Sequence, residues 1–207
     1  LGGFCSLCQF SNAIKDAFVT LLKEKDLDKI TVQDIAETAD INRGTFYLHY
    51  DDKYILLERI EDEYIQSLSE RLDYGYFEKL SKDTDIETFA KDFTKHILRS
   101  VLLHIQDNLA FYSVIMNLDR KTQIEEKVSQ LLYDNMSRHV AFNQHISNIP
   151  VDYFHSYVSG AMISFIKHWV NDPNRENIDV ITTYLFKIIF HGPLRLVANE
   201  HLNSTMK

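Results

Sequence analysis

The chain has 207 residues, 45% of them apolar, with three Pro and six Gly. That allows a sizeable core and leaves too little turn punctuation for an all-β fold. A net charge of −8 excludes a protein that coats nucleic acid through a generally basic surface, though not one with a local docking face. No apolar run approaches the roughly 18–20 residues of a membrane helix, so a soluble, cytoplasmic protein with no membrane partner is expected.

Residues 1–9 lack the charged start and long apolar stretch of a signal peptide. Cys5 and Cys8 form a single C-x-x-C. A structural zinc site wants four ligands and no second cysteine pair exists. A redox pair of the thioredoxin kind belongs in a βαβ unit, which the pattern lacks. The segment therefore reads as a leader without chemistry.

From residue 11 to 25, Ala13, Ile14, Ala17, Phe18, Leu21 and Leu22 recur at three and four, a helical stripe. Thr31-Val32-Gln33-Asp34 is a capping box with Asp in the Glu position, opening a short helix to about Ala39. Asp40-Ile41-Asn42 reads as a tight turn, with Asn42 the N-cap of a third helix through Tyr50. Asp51-Asp52 ends that helix and caps a fourth, residues 53–72, followed by a loop at 73–76. Further helices are expected at 86–104, 108–118, 122–142, 151–170 and 178–197, with a loop at 143–150. The fold class is all-α: a three-helix helix-turn-helix domain over 10–56, then a larger helical regulatory and dimerisation domain over 57–207.

Two short helices joined by a turn of about three residues give the helix-turn-helix outline, and the second helix carries the stronger signal. At about 100° per residue, Phe46 and Tyr50 share one face, which suits a core, while Gly44 and Leu48 point the opposite way. Gly in a short helix costs about 1 kcal/mol relative to Ala, and an outward Leu is unusual. Both follow if this face enters a major groove. Gly44 lets the backbone approach, Leu48 meets a thymine methyl, and Arg43 and Thr45 reach base edges or phosphates. Tyr47 and His49 flank the face within reach of phosphates. Thr31 and Lys53 begin helices whose N–H groups favour an anion. Taken singly, Thr31 is also an ordinary N-cap and Tyr47 an ordinary half-buried aromatic.

The run Thr31-Val32-Gln33-Asp34-Ile35-Ala36-Glu37-Thr38-Ala39-Asp40-Ile41-Asn42-Arg43-Gly44-Thr45-Phe46-Tyr47-Leu48-His49-Tyr50, followed by Asp52-Lys53, resembles the DNA-binding domain of TetR-family regulators. Ala36, Ala39, Gly44, Tyr47, His49 and Lys53 fall where that family's pattern has them, over roughly residues 14–57. The resemblance implies phosphate contacts by Thr31, Tyr47, His49 and Lys53, and approach to the bases by Asn42, Arg43, Gly44, Thr45 and Leu48. Tyr50 departs from the commoner Phe, and Tyr54 and Ile55 from acidic residues. Residues 154–169, with Gly160-Ala161 and Trp169, resemble a Gram-positive branch that includes regulators of dihydroxyacetone kinase operons.

In the second half, apolar residues surround the helix that begins at Ile178, as in a helix covered on more than one side. One side can be the subunit core and the other a partner. With Gly160-Ala161 permitting close approach, the expected homodimer face is Tyr157, Gly160, Ala161, Ser164, Ile181, Leu185, Ile188 and Ile189. The resemblance implies the same four-helix interface. An effector pocket in the middle helices would be lined by Phe111, Tyr112, Met116, Tyr133, Met136, Phe165 and Trp169, residue types that suit an ordinary core equally well. His96, His104, His139, His145, His155 and His168 show no H-x-x-x-H pair on one helix with a nearby carboxylate, so no metal is expected. No cofactor or enzyme is expected either, since the sequence has no nucleophile elbow, P-loop or dinucleotide turn.

The expected function is a dimeric regulator, a repressor, that binds a palindromic double-stranded DNA operator under control of a small-molecule effector. The alternative is a coactivator acting through a protein partner. It is motivated by residues 1–60, where five Lys and two Arg face seven Asp and three Glu, a net charge of −3.

Overall fold

The computed structural model describes residues 6–72, 75, 84–118, 123–139 and 144–204, without the side chains of 6–9, 136, 139, 203 and 204. Cys5, most of the expected loop at 73–76 and the ends of the 122–142 helix lie outside the described residues. The helices are α1 (Ser6–Glu24), α2 (Val32–Thr38), α3 (Arg43–His49), α4 (Lys53–Arg71), α5 (Ile86–Phe93), α6 (Arg99–Asp107), α7 (Leu109–Ile115), α8 (Gln123–His139), α9 (Val151–Asn171), α10 (Ile178–His191) and α11 (Pro193–Ser204). A 3-10 turn, Leu27–Lys29, follows α1, and a π-helical turn, Thr94–Leu98, joins α5 to α6. The all-α class is thus observed. Among the described residues no single helix is long and apolar enough to cross a membrane.

The chain forms two compact units. The first comprises the described residues of Leu1–Ser67 and Asn108–Leu131, so it contains 10–56 and extends beyond it. Its core joins Ile14, Phe18 and Leu22 of α1 to Ile35 and Ala36 of α2, Phe46 of α3 and Leu56 and Ile60 of α4, all buried. Phe111, Tyr112 and Ile115 of α7 belong to the same unit and are buried too. Tyr64 stacks on Phe111 with ring centroids 3.9 Å apart. Lys127 of α8 pairs with Asp62 at 2.6 Å and with the buried Glu61 at 3.5 Å. Burial raises the Glu61 carboxyl above its ordinary range despite that lysine.

The second unit comprises the described residues of Leu68–Asp107 and Leu132–Lys207. Ile97, Leu98, Val101 and Leu102 are buried with Ile166, Trp169 and Val170 of α9 and Ile178, Ile181 and Leu185 of α10. The Trp169 indole N–H donates to the Glu176 carbonyl at 2.9 Å, so burying the ring leaves no orphaned donor. The π turn has a local cause. Thr94 Oγ1 donates back to the Ala90 carbonyl and Ser100 Oγ to the His96 carbonyl, competing with the regular ladder at either end.

Two expectations need correction. Residues 145–150 are a two-strand hairpin rather than an open loop, with β1 (His145–Ile146) antiparallel to β2 (Ile149–Pro150). Ser147 and Asn148 take φ of 50° and 65°, the positive pair a type I′ turn requires. The helix expected over 178–197 is two helices. Gly192 at φ 77° ends α10, Pro193 opens α11, and the two are bent by 92°. Gly past a helix end followed by Pro is the ordinary stop signal.

His104 is fully buried, and burial, helped by the Arg71 guanidinium and opposed by Asp107, pushes its imidazole down to about 4. The unfolded chain therefore takes up this proton first. The stabilisation is complete above about pH 6.5 and is lost as pH falls from there through 4. Melting curves across that window should show a loss on the order of 3 kcal/mol attributable to this residue, and His104→Leu should flatten the slope.

Candidate nucleic-acid interface

The helix-turn-helix is set by local hydrogen bonds that can be read residue by residue. Thr31 caps α2. Its hydroxyl accepts from the Asp34 N–H at 3.1 Å, and its own N–H donates to Asp34 Oδ2 at 2.8 Å, completing the capping box. The Thr31 N–H and hydroxyl, both donating to Asp34 Oδ2, and Lys25 hold the Asp34 carboxyl down at about 2. Asp40 turns the chain between α2 and α3 with φ 52°, a left-handed conformation that Asp tolerates better than most residues. Asn42 caps α3, its Oδ1 accepting from the Gly44 N–H at 2.7 Å. Asp52 Oδ1 caps α4 by accepting from Tyr54 N and Ile55 N.

These caps orient α3. Phe46 and Tyr50 turn inward, 0% and 6% exposed, and the Tyr50 hydroxyl is hydrogen-bonded to Ser11 Oγ of α1 at 2.9 Å. Asn42, Arg43, Gly44, Tyr47 and Leu48 face outward, with Leu48 79% exposed and Tyr47 46%. Thr45 and His49 are half-buried. His49 Nε2 points inside without a hydrogen-bond partner among the described atoms, so less of this ring faces outward than the sequence indicates. Gly44 has a local reason besides groove access, because a Cβ there would lie 3.3 Å from Asn42 Oδ1.

The cations are arranged differently from expectation. Lys53 does not extend outward. Its ammonium donates to the carbonyls of Leu27 at 2.8 Å, Asp28 at 3.0 Å and Ile30 at 2.7 Å, using all three protons. It thereby fastens the 3-10 turn before α2 to the start of α4. Lys25 pairs with Asp34, Lys29 with Asp26 and Lys15 with Glu63. Such exposed pairs are worth little and can exchange partners. The cation on α3 itself is Arg43, whose Nη2 donates to the Tyr47 hydroxyl at 2.9 Å.

Of the seven expected effector-pocket residues, Phe111, Tyr112 and Met116 are buried in the first unit, while Tyr133, Phe165 and Trp169 belong to the second. The side chain of Met136 lies outside the described atoms. The Tyr133 ring stands edge-on to His155, with centroids 5.1 Å apart. The expected dimer residues divide as well. Tyr157, Gly160, Ala161 and Ser164 of α9 are exposed, as are Ile188 and Ile189 of α10, but Ile181 and Leu185 are buried in their own unit. Tyr153 and Tyr184, 73% and 43% exposed, extend the outward face and were missed in the sequence. For Tyr153 the signal was its place four residues before Tyr157 on the same helical stripe.

This geometry, a short outward-facing helix braced by two capped neighbours, defines a helix-turn-helix DNA-binding protein. Residues 14–60 match the sequence model described as "Bacterial regulatory proteins, tetR family", and residues 92–191 match "Transcriptional regulator C-terminal region". The chain belongs to the TetR family of transcription regulators. It is 26% identical over 176 residues to the uncharacterized HTH-type transcriptional regulator YxbF of Bacillus subtilis, covering 85% of this chain but only 43% of that protein. The same fold occurs in a TetR transcriptional regulator from Streptococcus agalactiae, with a TM-score of 0.62, 22% identity and coverage of 89% of this chain and 95% of that one. It also occurs in the dihydroxyacetone kinase operon activator DhaS, with a TM-score of 0.54, 20% identity and coverage of 86% and 93%.

In the DNA-free chain the Lys53 ammonium is bonded to backbone carbonyls of the turn before α2. Lys53→Met should lower the stability of the DNA-free protein by about 2 kcal/mol, since charged hydrogen bonds to backbone carbonyls are lost. Denaturant melts measure this. The slope of log K against log salt for DNA should stay unchanged, whereas loss of a phosphate contact would reduce it by about one per subunit.

Proposed function

We propose that the chain works as a homodimeric repressor that reads a palindromic operator with α3 and is released by a small-molecule effector. The observation that carries the DNA reading is the outer face of α3, where Arg43, Gly44, Tyr47 and a Leu48 that is 79% exposed stand on a helix whose opposite face is fully packed. Arg43 has the donors for a guanine edge, and Leu48 can pack on a thymine methyl. Tyr47 and His49 are assigned to the sugar-phosphate backbone on either side, and Asn42 and Thr45 to the groove edge at the start of the helix. Thr31 and Lys53 are assigned to holding that helix in register. One such helix reads few base pairs, and a two-fold pair would read a palindrome.

The dimer proposal rests on exposed residues of the second unit, the stripe Tyr153, Tyr157, Gly160, Ala161 and Ser164 on α9 and Tyr184, Ile188 and Ile189 on α10. An effector of small, partly apolar character is assigned to that same unit, where Phe165 and Tyr133 are half-buried. It acts by preferring one of two states of the protein, without which it could not shift DNA affinity.

A coactivator working through a protein partner is the second reading, favoured by the net −3 charge of residues 1–60 and by the pairing of Lys15, Lys25 and Lys29 with carboxylates of the same unit.

Two experiments test these proposals. Nothing lies within 4 Å of a Cβ built on Gly160, so Gly160→Arg should leave the isolated subunit folded. It should convert a sedimenting dimer to a monomer, because the charge would be buried unpaired at the interface. A wild type that sediments as a monomer at micromolar concentration would sink the dimer proposal. For DNA, Arg43→Ala should narrow the gap between operator and scrambled duplex by roughly ten- to a hundredfold, the worth of one bidentate base contact. If the wild type binds neither duplex at low salt, the partner-protein reading takes its place.

A further inference from the structure

Arg43 and Tyr47 are four residues apart on α3, one turn along the same outward face. The Nη2 of Arg43 donates to the Tyr47 hydroxyl at 2.9 Å, and the guanidinium carbon lies 5.4 Å from the centre of the Tyr47 ring. The Tyr47 ring stands edge-on to the buried Phe46, with centroids 5.6 Å apart and planes at 90°. A line of contacts thus runs from the core through Phe46 and Tyr47 to Arg43.

We propose that Tyr47 is a positioning residue for base reading, one that fixes the Arg43 guanidinium along the recognition helix and so sets sequence choice through Arg43. This goes beyond the backbone contact assigned to Tyr47 above and rests on the reading of α3 as the DNA-reading helix. An arginine side chain has many rotamers, and freezing it on binding costs entropy that a pre-held guanidinium has largely lost beforehand. One Nη2 proton is taken by the tyrosine oxygen. The remaining guanidinium donors stay available for the paired acceptors of a guanine edge. The aligned fork distinguishes guanine from other bases because a bidentate contact tolerates little misorientation. A loose arginine would instead meet bases and phosphates alike.

Tyr47→Phe is the informative change, because it keeps the ring and its packing on Phe46 and removes only the hydroxyl. The first measurement needs no DNA. Side-chain nitrogen spectra of arginine-labelled protein should show slowed rotation of the Arg43 guanidinium in the wild type and free averaging in Tyr47→Phe. Equal averaging in both would overturn the proposal. The second uses the duplex that the wild type enriches from a random pool, together with the single base-pair variant to which Arg43→Ala becomes indifferent. Tyr47→Phe should shrink discrimination at that base pair by roughly three- to tenfold, the worth of one hydrogen bond. It should cause no further loss of discrimination in the Arg43→Ala background. A purely backbone role for Tyr47 would weaken both duplexes equally and add fully to Arg43→Ala, which overturns the proposal. If the wild type enriches no sequence while the spectra show the held guanidinium, the DNA-reading assignment of α3 has failed, and this inference is overturned with it.

Discussion

A helix of seven residues has no useful stability of its own in water. The length of α3, Arg43–His49, therefore makes tertiary anchoring the constraint on which the DNA-reading face depends. Burial of Phe46 and Tyr50 supplies it, with the Tyr50 hydroxyl tied to Ser11 of α1. Once that inner face is fixed, the helical repeat places Gly44 and Leu48 on the outside. Each neighbouring cap then removes a remaining freedom: Thr31 with Asp34 starts α2, Asn42 starts α3, and Asp52 starts α4. The proposed DNA contacts lie on the outward residues, and their presentation depends on the inward ones.

The electrostatics of this unit follow a different logic from that of a generally basic DNA-binding domain. Among its lysines, Lys15, Lys25, Lys29 and Lys127 pair with carboxylates and Lys53 with backbone carbonyls. Counterion release is the sequence-independent part of DNA affinity, and a unit with net −3 over residues 1–60 has little of it to spend. On the proposed reading, binding by such a unit leans on groove contacts more than on a cationic surface, which places weight on Arg43, the cation carried by α3.

The second unit shows how one apolar helix serves two sides. Ile178, Ile181 and Leu185 of α10 close the core of their own unit, while Tyr184, Ile188 and Ile189 stay at the surface. A helix with apolar residues all round has one partner inside and a surplus outside. On α9, Tyr153 and Tyr157 are exposed too. The bend at Gly192 and Pro193 turns the chain into α11, where Leu194, Val197 and Leu202 are exposed as well.

The sequence alone determined the all-α class, the positions of α2 to α4, the stripe of α1 though not its start at Ser6, the three caps and which residues of α3 face out, because capping and helical periodicity are local and repeat every few residues. It also carried the stop at Gly192-Pro193 and the Ser147-Asn148 turn, though helix and loop expectations overrode those signals. Only the tertiary structure decided what was not local. Lys53 reaches carbonyls more than twenty residues away, so its clamp has no signature in spacing. Phe111, Tyr112 and Met116 are of types that suit a pocket or a core, and only the fold shows that they are buried. Ile181 and Ile188 carry the same side chain two turns apart. Which one meets its own subunit's interior depends on the helices packed around them, and no periodicity in α10 contains that information.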